Sequence, residues 1–218
     1  MKIRAIITGA SGMVGEGVMH ECLQHPDVEK VLVLGRKHCG TVHSKLTELI
    51  HPELYNLSGL EERLAGYNAC YFCLGTTSVG KNEEEFTRIT YTLTMHVARM
   101  LSKLNPDMTF CYVSGSGTNP NGSQMWQRVK GKTENDLTKL PFKQVFNFRP
   151  GFMQPTEGLK NAISAYTYFS WMFPILKVLF PGVTCRLSEV GQAMINVTQR
   201  GYNRNIIEVK DMVAASKK

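Results

Sequence analysis

The stretch that decides the fold lies at the start of the chain: Ile3-Arg4-Ala5-Ile6-Ile7-Thr8-Gly9-Ala10-Ser11-Gly12-Met13-Val14-Gly15. Its first part, Ile3 to Ile7, is short, apolar and rich in β-branched residues, which predicts a buried strand. Glycines follow at 9, 12 and 15, and the apolar residues from Met13 to Cys22 recur at helical spacing. The chain therefore begins with a predicted strand, a glycine turn and a helix.

The spacing of the three glycines is typical of a turn that binds a dinucleotide. Gly9 permits the tight bend, Gly12 lets the backbone approach a diphosphate, and Gly15 lets the helix pack closely on the strand. The diphosphate would lie over the free N–H groups and the positive dipole end of the helix. A plain strand–turn–helix with flexible glycines is the alternative. We expect cofactor contacts at Thr8, Gly9, Ser11, Gly12, Met13, Val14 and Gly15.

The end of the second predicted strand bears on which dinucleotide is bound. Val31 to Leu34 form this strand, which ends at Gly35-Arg36-Lys37-His38. An acidic residue at this position would bond the ribose 2′-hydroxyl, whereas arginine accommodates a 2′-phosphate. Arg36 and Lys37 stand here without an acid, so NADP(H) is the expected cofactor and NAD(H) the alternative. The alternative is that Arg36 and Lys37 are ordinary solvent-exposed loop residues without a ligand.

Composition and charge restrict the class of protein. The chain has 218 residues, 43% of them hydrophobic, which suits one globular domain with a sizeable core. The formal net charge is +7. No block of consecutive basic residues and no nucleic-acid recognition motif is evident, so no nucleic-acid partner is expected. A phosphate-rich small ligand explains part of the positive charge.

The cysteines and the start of the chain bear on location. The six cysteines are scattered, several within apolar strand-like runs, which indicates free thiols in a reducing compartment. Lys2 and the first strand follow Met1 at once, so no signal or transit peptide is expected. These observations predict a cytoplasmic protein. None of the six histidines pairs with a cysteine or an acid at a metal-ligand spacing, so no metal is predicted.

Apolar strands and helical patterns alternate through the first two thirds of the chain. This alternation predicts an α/β fold: a doubly wound, Rossmann-type parallel sheet with helices on both faces. Glu83 to Leu104 is the strongest helix. We expect a dinucleotide-binding domain over residues 1–155 and a small C-terminal cap, integrated with it, over 156–218. A further predicted strand ends in a turn whose position faces the cofactor, at Leu74, Gly75, Thr76 and Thr77.

One uncharged aromatic stretch, residues 161–176, stands apart from this alternation. It is too short and too polar for a membrane span, and Pro174 interrupts it. Its aromatic residues could lie on a membrane surface. The expected location is instead over a substrate cleft or against the sheet.

With these residues in view, the chain resembles the extended, atypical branch of the short-chain dehydrogenase/reductase superfamily, whose T-G-x-x-G-x-x-G turn matches Thr8 to Gly15. Within that branch it is most similar to the NAD(P)-binding Tat-interactive-protein-like oxidoreductases. The resemblance covers about the first 150 residues. The segments that carry it are Cys73-Leu74-Gly75-Thr76-Thr77, Phe86-Thr87-Arg88-Ile89, Val129-Lys130-Gly131-Lys132-Thr133-Glu134 and Phe148-Arg149-Pro150-Gly151.

The resemblance implies a catalytic site built from a tyrosine, a lysine four residues later and a serine. Lys130 matches the lysine, which in this superfamily also bonds the nicotinamide ribose. Ser114 and Ser116 are the candidates for the serine, and Ser116 is preferred because it lies farther into its loop. Trp126 stands where the tyrosine is expected, and an indole N–H is no useful acid near neutral pH. The resemblance also implies cofactor contacts at Pro150 and Gly151 and places the next residues, Phe152 and Met153, near the nicotinamide.

This departure leaves two functions open. The first is an NADP(H)-dependent oxidoreductase acting on a small or lipophilic carbonyl or hydroxyl substrate, with the proton supplied by Tyr166, Tyr168, a water or Lys130. The second is a non-catalytic NADP(H)-sensing regulatory or scaffold protein. Trp126 could also be a packing residue in a shifted loop. The resemblance further implies a homodimer formed through the two long predicted helices, Glu83 to Leu104 and Gln124 to Leu140, as an alternative to a monomer.

Overall fold

The computed structural model describes residues 1–161 and 182–217. In chain order the strands are β1 (Ile3–Thr8), β2 (Val28–Gly35), β3 (Leu46–Ile50), β4 (Ala69–Phe72), β5 (Thr109–Val113), β6 (Gln144–Arg149), β7 (Phe152–Gln154), β8 (Thr184–Arg186) and β9 (Ile206–Glu208). The helices are α1 (Met13–Gln24), α2 (Glu61–Leu64), α3 (Glu83–Thr87), α4 (Leu93–Leu104), α5 (Met125–Leu137), α6 (Leu187–Arg200) and α7 (Val209–Ala215). A π-helical turn, Arg88–Thr92, joins α3 to α4.

Within the described residues, seven strands form one parallel sheet in the order β3-β2-β1-β4-β5-β6-β9. The chain starts at the centre with β1, proceeds to one edge, and then crosses over to β4 and the other edge. The predicted doubly wound, Rossmann-type sheet is thereby confirmed. In such a sheet the crevice for a ligand opens at the carboxyl ends of the strands where the order reverses, here between β1 and β4.

Two apolar layers cover the two faces of the sheet. On one face, α1, α6 and α7 contribute residues such as Val18, Val190 and Met212. On the other face, α2, α4 and α5 do the same. Because strand residues alternate in direction, Cys70 belongs to the second layer and Cys73 packs against the first. The thiols of Cys70 and Cys73, three positions apart in sequence, therefore lie on different sides of the sheet.

The C-terminal region is built into the same sheet. β9 pairs with β6, and α6 packs on α1 at two glycines. A Cβ on Gly17 would lie 2.3 Å from Leu187 Cδ2, and one on Gly191 would lie 2.7 Å from the Glu21 side chain. The absence of side chains at these two positions sets the separation of the helices.

Some element boundaries differ from the sequence-based expectation. The long helix expected from Glu83 to Leu104 contains the π-helical turn, and α5 ends at Leu137 instead of Leu140. The sequence pattern predicts a last short strand from Ile206 to Val209, whereas β9 ends at Glu208 and Val209 begins α7. A helix of seven residues is too short to show a clear period in sequence. The predicted aromatic stretch lies outside the described residues from position 162 onward.

Among the described residues, no helix combines the length and the apolar character needed to cross a membrane.

The glycine turn after β1 is packed backbone against backbone. Gly9 adopts φ +73°, a conformation that favours glycine, and a Cβ there would lie 2.7 Å from Leu74 N. A Cβ on Gly15 would lie 2.2 Å from the carbonyl oxygen of Gly9. At Gly12 the nearest atom to a Cβ is that same oxygen, at 3.5 Å, which is an ordinary contact. Gly9 and Gly15 therefore have structural roles, whereas Gly12 leaves an open approach to the turn.

A buried ion pair joins α5 to β6. Arg149 donates from Nε to Glu134 Oε1 at 3.0 Å and from Nη2 to Oε2 at 2.6 Å. The Glu134 side chain is 3% exposed, and Arg149 also donates to Glu208 of β9 at 3.2 Å. This network fixes α5 against the edge of the sheet where β6 and β9 pair.

The glycine turn leads to a first prediction. Gly15→Ala forces α1 away from Gly9 and should destabilise the protein by about 1–3 kcal/mol, as overpacking does. Gly12→Ala is the matched control and should change stability by less than about 0.5 kcal/mol. Urea unfolding followed by circular dichroism measures both variants. Equal stability of the two variants would contradict the close approach of α1.

The ion pair leads to a second prediction. Arg149→Met leaves the buried Glu134 carboxylate without its partner, which should cost about 3–5 kcal/mol of unfolding free energy. Arg128→Met is the control, since Arg128 and Glu83 form an exposed pair at 2.7 Å that is worth about 1 kcal/mol or less. Denaturant titrations of both variants give the comparison. Similar losses in the two would show that burial of the Glu134 pair has no energetic consequence.

Candidate functional site

The turn between β1 and α1 forms the first part of a cleft. Gly12 is the N-cap of α1 in extended conformation, and its N–H donates to the Gly9 carbonyl at 2.9 Å. The Leu74 N–H donates to Thr8 Oγ1 at 3.2 Å, which ties the turn to the segment after β4. A cavity of about 280 Å³ opens over this turn. It is lined by Gly9, Ala10, Ser11, Gly12, Val33, Gly35, Arg36, Lys37, Leu54, Cys73, Leu74 and Gly75.

These residues fit a dinucleotide. Any side chain at Gly9 or Gly15 would collide with backbone, while Gly12 leaves bare backbone at the start of a helix of 12 residues. Such a helix start carries free N–H groups and a positive dipole end suited to a diphosphate. Of the sequence-predicted turn residues, Gly9, Ser11 and Gly12 line this cavity, and the predicted Arg36 and Lys37 line it as well. Thr8 is buried and is not among the described residues that line it.

The loop after β2 is held by one carboxylate. Glu48 of β3 accepts from the Cys39 N–H at 2.7 Å through Oε1 and contacts His38 Nδ1 at 2.8 Å through Oε2. Burial raises the pKa of Glu48, but these hydrogen bonds outweigh it, and the net shift is downward. Within the described chain neither Arg36 nor Lys37 forms a salt bridge. Both cations are exposed and face the cavity side of the loop.

A second cavity, of about 360 Å³, continues from the first and shares Gly12, Cys73 and Gly75 with it. It is lined by residues from the glycine turn after β1, the segment after β4, the end of β5, helix α5 and the segment after β6. The predicted site residues that line it are Gly12, Met13, Val14, Gly15, Gly75, Thr76, Thr77, Ser114, Lys130 and Pro150. Gly151 packs under Val183, since a Cβ there would lie 2.1 Å from the Val183 carbonyl oxygen.

Lys130 is the basic group among the described residues that line this second cavity. Its Nζ donates to the Ser114 carbonyl at 2.6 Å. Burial lowers the pKa of Lys130 to about 8, although the negative charge of Glu134 one turn along α5 partly opposes the shift. At neutral pH the amine is therefore mostly protonated but readily gives up its proton.

The structure separates the two candidate serines. Ser114 is buried, lines the cavity beside Lys130, and has its Oγ 2.9 Å from Thr118 Oγ1. Ser116 is exposed, and its N–H donates to the Pro150 carbonyl at 2.9 Å. Ser116 is not among the described residues that line either cavity. Ser114, not the sequence-preferred Ser116, is the serine that lies next to Lys130.

Trp126 packs on the loop after β5. A Cβ on Gly117 would lie 3.5 Å from Cη2 of the indole, so the ring rests on the Gly117 backbone. The indole N–H donates to Gln124 Oε1 within the first turn of α5. Among the described residues lining the second cavity, Trp126 is absent. The indole thus supplies no acid there, and the alternative donors Tyr166 and Tyr168 lie outside the described residues.

Sequence reasoning missed a second anchored carboxylate. Glu16, buried in the first turn of α1, accepts from the N–H groups of Lys160 at 2.8 Å and Asn161 at 2.7 Å. Lys160 Nζ in turn donates to the Gly40 carbonyl at 3.0 Å. The segment at 160–161 is thereby tied both to α1 and to the loop after β2. An acidic residue in the first turn of a helix is already explained by the positive end of the helix dipole. No signal in the sequence therefore indicated the contact of Glu16 with residues 160–161.

Within the part of the chain that the structure describes, no group of three or more His, Cys, Asp or Glu side chains could hold a metal ion. Burial raises the pKa of the Cys73 thiol, which borders both cavities, to about 12. This thiol is therefore neutral and unreactive at physiological pH.

Residues 5–145 match the family described as the NAD dependent epimerase/dehydratase family. Protein FMP52, mitochondrial, of Candida albicans is 27% identical over 95% of this chain and 91% of its own length. Protein HTATIP2 of Rattus norvegicus is 27% identical over 67% of this chain and 61% of its own length.

Solved structures share the fold at lower identity. The Bordetella bronchiseptica enzyme WbmG, in complex with NAD, superposes with a TM-score of 0.70 at 13% identity, covering 99% of this chain and 77% of its own. The UDP-N-acetylglucosamine 4-epimerase of Methanobrevibacter ruminantium M1 gives 0.66 at 17% identity, over 95% and 76% of the two chains. These likenesses support the Rossmann-type architecture.

The comparisons correct one prediction. The prediction of a cytoplasmic location was wrong, because curated relatives, including those of Candida albicans and Scheffersomyces stipitis, are named mitochondrial. Free thiols argue against an oxidising compartment, but they do not distinguish the cytoplasm from other reducing compartments.

The expected resemblance is confirmed. With its parallel sheet, its glycine turn and a family match over residues 5–145, this chain belongs to the NAD dependent epimerase/dehydratase family, within the extended short-chain dehydrogenases/reductases.

Proposed function

We propose that this protein is an NADP(H)-dependent oxidoreductase that reduces the carbonyl group of a small or lipophilic substrate. One observation carries the proposal: the cavity over the glycine turn shares Gly12, Cys73 and Gly75 with a second cavity, which Lys130 lines. A diphosphate site at one end and a proton donor at the other are the two parts that a nicotinamide-dependent reductase needs.

The charges at the end of β2 support NADP(H) over NAD(H). Arg36 and Lys37 face the cavity, whereas the nearby carboxylate of Glu48 is occupied by His38 and Cys39. No acid is therefore free at this loop, among the described residues, to bond a ribose 2′-hydroxyl. Two cations there suit a 2′-phosphate.

Lys130 takes the role of proton donor in this proposal. Bound NADPH would supply the hydride, and the carbonyl oxygen would then need a proton. The Lys130 ammonium, with a pKa of about 8, can donate that proton at neutral pH and recover it from solvent. Ser114, buried beside it, would orient the carbonyl oxygen through its hydroxyl.

A non-catalytic NADP(H)-sensing protein is the second candidate, and Trp126 favours it. The indole fills the position of the expected tyrosine, yet its N–H is bonded to Gln124 and its ring rests on Gly117. A protein that had lost turnover but kept the glycine turn would still bind the dinucleotide. Turnover with a carbonyl substrate distinguishes the two candidates.

We further propose that the protein acts at the mitochondrion, because its curated relatives are named mitochondrial. Its expected partner is a small-molecule substrate, and its positive charge is assigned to phosphate binding instead of nucleic acid.

The cofactor assignment gives a third prediction. Wild type should bind NADPH at least about tenfold more tightly than NADH, and Arg36→Ala/Lys37→Ala should abolish that preference, because one lost phosphate contact of about 1.4 kcal/mol gives this factor. Fluorescence or calorimetric titration measures it. Arg99→Ala/Lys103→Ala, which removes two cations from α4, is the charge-matched control and should leave the preference intact. A preference that survives in the Arg36/Lys37 variant would contradict the assignment.

The assignment of Lys130 gives a fourth prediction. Lys130→Met should lower the rate of NADPH oxidation with a carbonyl panel by about 10²–10⁴-fold, the usual contribution of an acid catalyst. In wild type the rate should fall as pH rises through about 8, since only the ammonium donates. Lys130→Arg should be slower but keep its rate through that range, because guanidinium stays charged.

Stopped-flow or steady-state absorbance of NADPH gives both profiles, and NADPH titration checks that the variants still bind cofactor. An unchanged alkaline decline in Lys130→Arg would assign the proton to another group. Tight NADPH binding without turnover across the panel would favour the sensing protein.

A further inference from the structure

A third cavity, of about 330 Å³, adjoins the dinucleotide cleft and shares Arg36, Leu54, Leu74 and Gly75 with it. Two guanidinium groups, one carboxylate, one phenol ring and several aliphatic side chains meet there. The remaining lining residues are Pro52, Glu53, Tyr55, Thr76, Arg88, Ile89 and Leu93. The cavity thus offers apolar walls with polar groups among them.

The position of this cavity indicates what part of the ligand reaches it. A bound dinucleotide would place its diphosphate over the turn at Gly12 and its ribose beside the end of β2. Arg36 borders both cavities, so the group beyond the ribose would enter the third one. In a nicotinamide dinucleotide that group is adenine, a planar base with apolar faces and polar edges.

Arg88 is fixed at this cavity by its own backbone. It begins the π-helical turn, and its carbonyl accepts from the Leu93 N–H. The same carbonyl accepts from the Tyr55 hydroxyl at 2.8 Å. The loop after β3 and the helix after β4 are therefore joined at this one oxygen, on the wall of the cavity. π-helical turns inside α-helices recur at functional sites.

The guanidinium of Arg88 is held by an aromatic ring. Its Cζ lies 5.5 Å from the centroid of Tyr55, and within the described residues no carboxylate lies in salt-bridge distance of it. Arg128, by contrast, pairs with Glu83. A planar, weakly hydrated guanidinium stacks well on flat π-systems, including nucleobases.

We propose that Arg88 is an affinity-determining residue that stacks on the adenine of the bound dinucleotide, with Tyr55 holding it in place. This rests on the proposed dinucleotide binding. It assigns Arg88 a role different from that of Arg36 and Lys37: stacking on the base acts on NADPH and NADH alike, whereas the cations at the end of β2 act on the 2′-phosphate.

Titration of NADPH, NADH and ADP against Arg88→Ala, Arg88→Lys and wild type tests this inference. Arg88→Ala should weaken the affinity for all three ligands by about fivefold, the scale of a cation–π contact in a partly desolvated site. Arg88→Lys keeps the charge but loses the planar stacking surface, so it should weaken all three affinities by a smaller factor, and both variants should leave the NADPH/NADH ratio unchanged. Arg99→Ala, an exposed arginine on the same long helix, is the matched control and should bind as wild type does. Urea unfolding midpoints confirm that the variants are folded.

Weakening of NADPH alone would make Arg88 a phosphate ligand and overturn the stacking role. Unchanged affinities in both variants would show that the base does not contact Arg88. If wild type binds none of the three ligands, the proposed function itself fails, whereas wild-type binding with unaltered variants refutes only the assignment of Arg88.

Discussion

The rest of the structure depends on the contact between two pieces of backbone, Gly15 on α1 and the carbonyl of Gly9. A single methyl group at Gly15 would lie 2.2 Å from that oxygen. Because the helix starts so close to the end of β1, its free N–H groups face the carboxyl edge of the sheet where β1 and β4 diverge. The cavities meet around that helix start, so its position sets the geometry of the whole cleft.

Charge is distributed unevenly around this cleft. The carboxylates of Glu16, Glu48 and Glu134 are each occupied by donors from the protein itself: backbone N–H groups, a histidine or Arg149. Arg36, Lys37, Arg88 and Lys130 border the cavities without a carboxylate bonded to them, among the described residues. Such a lining focuses a positive field on the crevice and attracts phosphate-bearing ligands. Part of the net charge of +7 therefore lies around the cleft.

Trp126 stands where the resemblance implies a tyrosine, and the two side chains differ in their ability to release a proton. A nearby lysine ammonium lowers the pKa of a phenol so that it can release its proton, whereas an indole N–H does not ionise near neutral pH. The structure retains the lysine in a partly desolvated position, and burial depresses the pKa of its amine toward neutrality. Glu134, held by Arg149, limits that depression. The ion pair that anchors α5 thus also acts on the electrostatics of the cleft.

The sequence by itself determined the features that depend on local sterics and on periodic burial. The strand at Ile3 to Ile7, the glycines at 9 and 15, and the alternation of strands with helices each follow from backbone geometry within a few residues, and together they indicate the parallel sheet and its crevice. The tertiary structure alone decided which groups from distant segments meet. It placed Ser114 beside Lys130 instead of Ser116, and it joined Arg149 to Glu134 and Tyr55 to Arg88. These contacts depend on how loops at the carboxyl edge fold over one another, and no local pattern encodes the meeting of side chains separated by tens of residues.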